Sequence, residues 1–395
     1  MTYKEAMSSE EKIEWSLAIQ EEMNSMKEEN VFIVKNLNDA LKEVPHESIL
    51  STKWVFVQKP ERFKARLVAQ GFRQIHGINY KETFAPTPTF GALRLLFSIA
   101  VINNWPIKTF NFKVAFLHSI IDKPVYVWPP QGMNVPKYQV LKLHKALYGT
   151  EQASRCWWVY LKEVLQKIGF TANGEDASTY TFQKDGQNAI LWIHVNDGAL
   201  TASSAETQLN AHLKIKWDTI IKGLVGISIE ETAKGFKFYQ PDLIQKLVNL
   251  NPRNVTAKSE LPANCKLESN FSMNNMDKPY LKQIAWKSRR QTTVASSTAQ
   301  AEYMALSFAA KETLWMYNLF GKTITLKTPI LLSDNKTAVG ISTDSMSKKQ
   351  TRHLIRDFNV INEYIVMKKL ELKWITTNEQ LADIMTKSLG NLKTQ

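Results

Sequence analysis

Cysteine is nearly absent: Cys156 and Cys265 are the only two in 395 residues, far apart and in no ligand-like spacing. Neither a disulfide framework nor a structural zinc site can be built from such a pair, which fits a reducing, intracellular compartment. Long apolar runs are missing as well. No stretch approaches the roughly 18 residues that a membrane span requires, so no membrane is expected as a partner. The polar, acidic N-terminus MTYKEAMSSEEKIEW lacks the apolar core of a signal peptide. There is no internal repeat and no low-complexity segment. Acids are outnumbered, 37 against 50 lysines and arginines, leaving a net charge of +13 and a pI near 9.4. The excess is spread along the chain, and a basic balance of this size points to a polyanionic partner, nucleic acid first. The 44% of hydrophobic residues supports a sizeable core, and the length suits two or three domains.

Periodicity places the main elements. Trp15, Ala18, Ile19, Met23 and Met26 recur at helical spacing, predicting an amphipathic helix with Ser8 or Ser9 as its cap. VFIV, TKWVFVQK and FKARLVAQGF read as strands. In the last, Lys64 and Arg66 face one way and Phe63, Ala65 and Leu67 the other, giving a half-buried strand with one cationic face. GALRLLFSIAVINNW reads as a helix, and PIKTFNFKVAFL as a strand leading into a helix or turn. PVYVWPPQGM is a short strand, and SRCWWVYLKEVLQKIGF a helix ending near Gly169. AILWIHV and GALTA form a hairpin around Asn196-Asp197-Gly198, where Asn and Gly are expected to supply the positive φ of a tight turn. A strand pair around LVGISIEE and KGFKFYQ and the helix DLIQKLVNL follow. SELPANCKLESNFSMNNMDKP reads as a linker. Beyond it come the helix SSTAQAEYMALSFAAKETLWMYNLF, the strand TPILLSDN, the helix RDFNVINEYIVMKK, the strand LELKWITT and a final helix begun by Thr377, which with Gln380 has capping-box spacing.

RFKARLVAQGFRQIHGINYKETFAP resembles the reverse transcriptase of copia-type LTR retrotransposons, and further blocks follow in the same order. They are KVAFLHSIIDKPVYVWPPQGM, KLHKALYGTEQASRCWW and HVNDGAL, the last in the place of a YVDD hairpin. SSTAQAEYMAL, LLSDNKTAV and NEQLADIMTKSL resemble the RNase H domain that follows in the same Pol polyprotein. The resemblance implies a mixed αβ (α+β) fold: right-hand polymerase fingers and palm over residues 1–225, a thumb or connection remnant and linker over 226–283, and a truncated RNase H-like α/β domain over 284–395. It also implies Mg²⁺, dNTPs and an RNA or DNA template–primer. The start at Met1 coincides with the beginning of the family module, so the chain is expected to be a segment of a polyprotein.

Nucleotidyl transfer uses two divalent cations held by carboxylate oxygens. The resemblance places the palm ligands at Asn111, Asn196 and Asp197, so two of three acids are neutral amides here. Lys64 and Arg66 fall where the family's fingers strand meets the incoming triphosphate. Gln152 matches the glutamine beside the nucleotide, while Arg155 and Trp157 match packing positions. For RNase H the implied acids are Glu302, Asp334 and Asp383; read alone, each is an ordinary surface acid. The fourth acid has no counterpart. IAWKSRRQ follows directly on MDKPYLKQ, so a piece carrying the first strands is expected to be deleted near Ile284, and nothing suggests that Asp277 substitutes. His353 matches a family histidine. Two readings follow: an RNA-directed DNA polymerase with RNase H that tolerates these changes, or a non-catalytic relic or repurposed binder of nucleic acid.

Overall fold

The computed structural model describes residues 1–59, 62–184, 186–201, 205–221, 223–232, 235–249, 298–321, 328–343 and 355–377. In chain order the elements begin α1 (Tyr3–Ser8), α2 (Lys12–Glu28), β1 (Phe32–Asn36), α3 (Leu37–Glu43), β2 (Thr52–Lys59), β3 (Arg62–Ala69), α4 (Phe90–Asn103), β4 (Ile107–Phe112) and α5 (Ala115–His118). There follow β5 (Ile120–Val127), β6 (Gln139–Lys145), α6 (Ala153–Lys167), β7 (Phe170–Ala172), β8 (Thr179–Lys184), β9 (Gln187–His194), β10 (Asp197–Thr201), α7 (Ala205–His212) and β11 (Ile215–Trp217). The rest are β12 (Gly223–Leu224), β13 (Ile227–Thr232), β14 (Gly235–Tyr239), α8 (Pro241–Asn249), α9 (Thr298–Phe320), β15 (Ile330–Ser333), α10 (Lys336–Thr343), α11 (Ile355–Val366) and β16 (Glu371–Trp374). The fold is mixed α/β, as the sequence predicts.

The chain divides into two compact units, the first made of Met1–Pro88, Lys108–Ala172 and Phe182–Thr219. Its N-terminal core joins α2 to the antiparallel pair β2–β3 and to the sheet β1-β6-β5. Trp15 is fully buried, with Phe56 and Phe63 edge-on to it at 5.1 and 4.5 Å between ring centroids. In β3 the predicted alternation is present: Ala65 and Leu67 are buried, and Lys64 and Arg66 are half-buried on the other side. A six-stranded sheet, β11-β4-β10-β9-β8-β7, carries the palm positions. Its central strands are apolar on both faces; Ala189 to Ile193 are all buried.

Two local expectations are corrected. Ser8 and Ser9 do not cap the long helix. Ser8 ends α1, and the Ser9 hydroxyl donates to the Ala6 carbonyl at 3.0 Å. Thr2 caps α1 through a capping box with Glu5, and α2 starts after Glu11 without a side-chain cap. The 6-residue α1 is not legible in the sequence because the apolar period that marks α2 begins only at Trp15. The second correction adds β6, Gln139–Lys145, whose last four residues open the KLHKALYG block and run there into turn residues.

The second unit comprises Thr89–Ile107, Asn173–Thr181 and Ile220–Gln395. α9 packs along α4, where the Trp315 ring lies over Gly91, whose added Cβ would meet it at 3.3 Å. Trp315 Nε1 donates to the Glu175 carbonyl at 3.2 Å, and the Asn173 amide donates to the Leu319 carbonyl. Phe97 of α4 receives Phe236 and Phe238 of β14 edge-on at 4.9 and 5.0 Å. A small core of Tyr303, Leu306, Ala310, Ala338, Ile361 and Leu370 joins α9, α10 and α11 to the parallel pair β15–β16. Among the described residues that sheet has two strands, whereas parallel sheets ordinarily have both faces covered by helices. The linker, the junction near Ile284, Asp277, Cys265, His353, Gln380 and Asp383 lie outside the described residues.

Candidate nucleotidyl-transfer site

The hairpin β9–β10 pairs His194 with Asp197 and Ile193 with Gly198, leaving Val195 and Asn196 as a two-residue turn. The sequence predicts positive φ at Asn and Gly. The structure puts it on Val195, at φ +56°. A β-branched residue in that region is a genuine outlier, strained by order 1 kcal/mol or more. Its surroundings hold it there: Trp157 Nε1 of α6 donates to the Val195 carbonyl at 2.5 Å, and the Phe112 amide of β4 donates to the Asn196 carbonyl at 2.7 Å. Gly198 lies within β10, and its hydrogen faces a ring: an added Cβ would sit 2.2 Å from Phe110 Cζ. Close approach, not turn geometry, explains this glycine. Val195→Gly is expected to raise stability by about 0.5–1 kcal/mol, against the usual sign for introducing glycine, because strain is relieved. A urea titration with unchanged slope checks it.

β10 lies beside β4, which brings the three palm positions together. Asn111 Nδ2 donates to Asp197 Oδ1 at 2.6 Å, and both side chains are half-buried. The remaining carboxylate therefore already holds a charge-assisted hydrogen bond from within the protein. Two magnesium ions about 3.5–4 Å apart need several shared anionic oxygens. The donor set here is one carboxylate and two amides, with one amide pointing N–H rather than oxygen at the carboxylate. It does not fit a metal pair. Among the described residues no three His, Cys, Asp or Glu side chains converge on a metal-sized locus. On the other side of β4, β11 places Lys216 directly opposite Asn111. Directly opposed residues share a face, so an exposed ammonium-bearing residue neighbours the site. Sequence reasoning misses Lys216 because Ile215–Trp217 is only 3 residues, too short for a period to register.

The cationic strand β3 is tied to the turn between β6 and α6. At the end of β3, Ala69 N donates to the Tyr148 carbonyl at 2.8 Å and Gly71 N to the Gly149 carbonyl at 3.1 Å. Gly149 has φ +87°, and a Cβ there would meet the Ala69 oxygen at 2.2 Å, so this crossing accepts only glycine. Arg66 stacks its guanidinium 5.2 Å from the Tyr148 ring centroid. Burial pushes the Glu22 carboxyl up, while the Leu67 N–H and the charges of Lys64 and Arg66 pull it back. The strand's cations thus act on an acid of α2 as well as on solvent.

Gln152 is the residue that the resemblance sets beside the nucleotide. It is fully buried at the start of α6. Its Nε2 donates to the Asn79 carbonyl at 2.8 Å, and its Oε1 accepts from Gln74 Nε2 at 2.9 Å. The amide is thereby used at both ends to clamp the loop after β3. Arg155 pairs with Glu82 at 2.6 Å. In the second unit, Glu302 lies half-buried in α9. Asp334 follows β15 half-buried, its carbonyl accepting from Trp374 Nε1 at 2.9 Å.

Residues 35–260 match the family described as reverse transcriptase (RNA-dependent DNA polymerase). The chain belongs to the reverse transcriptase family. Its curated relatives include the retrovirus-related Pol polyproteins from transposon RE1 of Arabidopsis thaliana and transposon TNT 1-94 of Nicotiana tabacum. The first is 23% identical over 87% of this chain and 31% of the relative; the second is 24% identical over 97% and 37%. This reverse transcriptase-family chain therefore spans about a third of the length of these relatives. The RE1 alignment runs over 456 positions but uses 87% of 395 residues, about 344, so the relative carries about 112 residues more within the matched span. Among solved structures, a foamy viral protease–reverse transcriptase in complex with double-stranded DNA shares 12% identity at a TM-score of 0.33, covering 88% of this chain and 48% of that one.

Proposed function

We propose that this chain is a reverse transcriptase relative that no longer synthesises DNA and retains binding of primer–template nucleic acid. The observation that carries this reading is the hydrogen bond from Asn111 to Asp197 at 2.6 Å. An amide donor occupies the carboxylate on which two metal ions would have to be held. Loss of such electrostatic stabilisation costs several kcal/mol of barrier, on the order of a thousand-fold or more in rate. The bland alternative for the hairpin, a tight turn between strands, accounts for its backbone. The positive φ of Val195 is held by the Trp157 and Phe112 hydrogen bonds to the turn and speaks for neither reading.

Binding is supported by the net charge of +13 and by the half-buried cationic row of Lys64 and Arg66. The RNase H reading rests on the resemblance around Glu302, Asp334 and Asp383. The extra length of the RE1 alignment shows that residues of the relative have no counterpart within the matched span, and loss of the strand bearing the fourth acid would leave this second activity impaired too. The decisive assay is Mg²⁺-dependent dNTP incorporation on a primed RNA template and a primed DNA template. Purified protein is expected to extend neither above a no-enzyme control. Robust extension on either overturns the reading and restores the alternative, an active RNA-directed DNA polymerase.

A further inference from the structure

We propose that the C-terminal segment which resembles RNase H serves this chain as a splint: through α9 it holds α4, and the two open as one body. The inference stands whether or not the chain synthesises DNA. The reverse transcriptase match covers residues 35–260, yet the seam between the compact units does not follow its end. Thr89–Ile107, Asn173–Thr181 and the stretch that begins at Ile220 all start inside the match, and they form one unit with the C-terminal segment. α4 is apolar on more than one face: Leu93, Leu95, Leu96, Phe97 and Ile99 are all buried. Such a helix needs partners on several sides. Phe236 and Phe238 supply one, edge-on to Phe97. α9 supplies another. Its Trp315 ring lies over Gly91, 3.3 Å from where a Cβ would stand, and Trp315 Nε1 donates to the Glu175 carbonyl at 3.2 Å. One helical turn further on, the Leu319 carbonyl accepts from the Asn173 amide.

One helix serves both clusters. α9 has 23 residues and is about 35 Å long. Its N-terminal half sets Tyr303, Leu306 and Ala310 into the small core with Ala338, Ile361 and Leu370. Its C-terminal half carries Trp315 and Leu319 to α4 and to the loop at 173–175. A pair of strands needs a helix packed on it for independent stability, and among the described residues the sheet of the small core is the pair β15–β16. α9 is a helix that packs on β15, and its other end is seated on α4. Neither cluster can part from this shared rod without exposing apolar surface, so opening of one is coupled to opening of the other.

The test is amide hydrogen exchange of the full chain, followed by mass spectrometry and read in α4 and α9, with one substitution at each end of the splint. Ile361→Val removes one methyl group from the small core, on α11. It is expected to speed exchange of the α4 amides about fivefold, the same factor as in α9. Gly91→Leu puts a better helix former into α4 but a side chain where Trp315 lies. It is expected to speed exchange in α9 about tenfold, because coupling between two sites is reciprocal and appears from either end. Unchanged α4 exchange in Ile361→Val overturns the inference, since the C-terminal segment then opens without α4. Unchanged α9 exchange in Gly91→Leu overturns it as well, since α4 then carries no seat for α9. If Gly91→Leu does not fold, the conservative Ile361→Val decides the matter alone. Neither outcome touches the nucleic-acid reading, which the incorporation assay tests separately.

Discussion

Asn111→Asp is expected to lower the melting temperature by about 6–12 °C at neutral pH in EDTA, and added Mg²⁺ to recover part of the loss. The substitution replaces the amide that donates to Asp197 at 2.6 Å with a second carboxylate at the same place. A charge-assisted hydrogen bond is lost and like-charge repulsion takes its place, together about 3 kcal/mol for a half-buried pair. For a unit of this size that converts to the stated shift at about 2–4 °C per kcal/mol. The pH dependence has a definite sign. Repulsion raises the folded pKa of the pair above the unfolded value near 4, so the folded state binds the extra proton. The penalty is therefore absent below about pH 4 and complete once pH exceeds the raised folded value. Metal recovery follows from linkage, since a cation that binds the folded pair stabilises it. Differential scanning fluorimetry from about pH 4 to about pH 8, with EDTA or Mg²⁺, reads both effects. A melting temperature unchanged at neutral pH would show that the Asn111–Asp197 hydrogen bond contributes nothing, and would remove the argument for an engaged carboxylate.

Gly198→Ala is expected to cost about 3 kcal/mol, more than most alanine substitutions for glycine in strands, which are often neutral or favourable. The new methyl would stand 2.2 Å from Phe110 Cζ and within 2.8 Å of both neighbouring ring carbons. Phe110 is buried at 1% exposure and held edge-on between Phe112 and Trp217, each 5.0 Å away, so it has nowhere to retreat. Either the ring or the hairpin must move, and the hairpin carries Asp197. Phe110→Leu should restore a large part of the loss when combined with Gly198→Ala, although alone it leaves a cavity and destabilises. Such coupling between touching residues is what a double-mutant cycle detects. Additive losses in urea denaturation would refute the steric account and leave Gly198 as a glycine of convenience.

The strands and helices that carry a long apolar period are legible from the chain alone: β2 matches TKWVFVQK residue for residue, and α6, α9 and the β9–β10 hairpin fall where the pattern places them. So are the family and the chemical identity of the palm positions, because Asn111 and Asn196 differ from aspartate in charge, and charge is a property of the residue and not of the fold. Some short elements are not legible. β11 and α1 contain too few residues for a period to show, and β11 is held by a partner distant in sequence.

What the tertiary structure alone decided is who touches whom. Intrinsic tolerance assigns positive φ to Asn and Gly. Packing of Trp157 and Phe112 on the turn's carbonyls overrides that preference and strains Val195. Nor does position in the chain show that the Gln152 amide is buried and bonded to Asn79 and Gln74 in the loop after β3. And the sequence counts three palm side chains without showing that one already satisfies another. A hydrogen bond across 86 positions of chain is a fact of strand order and register, and no local pattern encodes it.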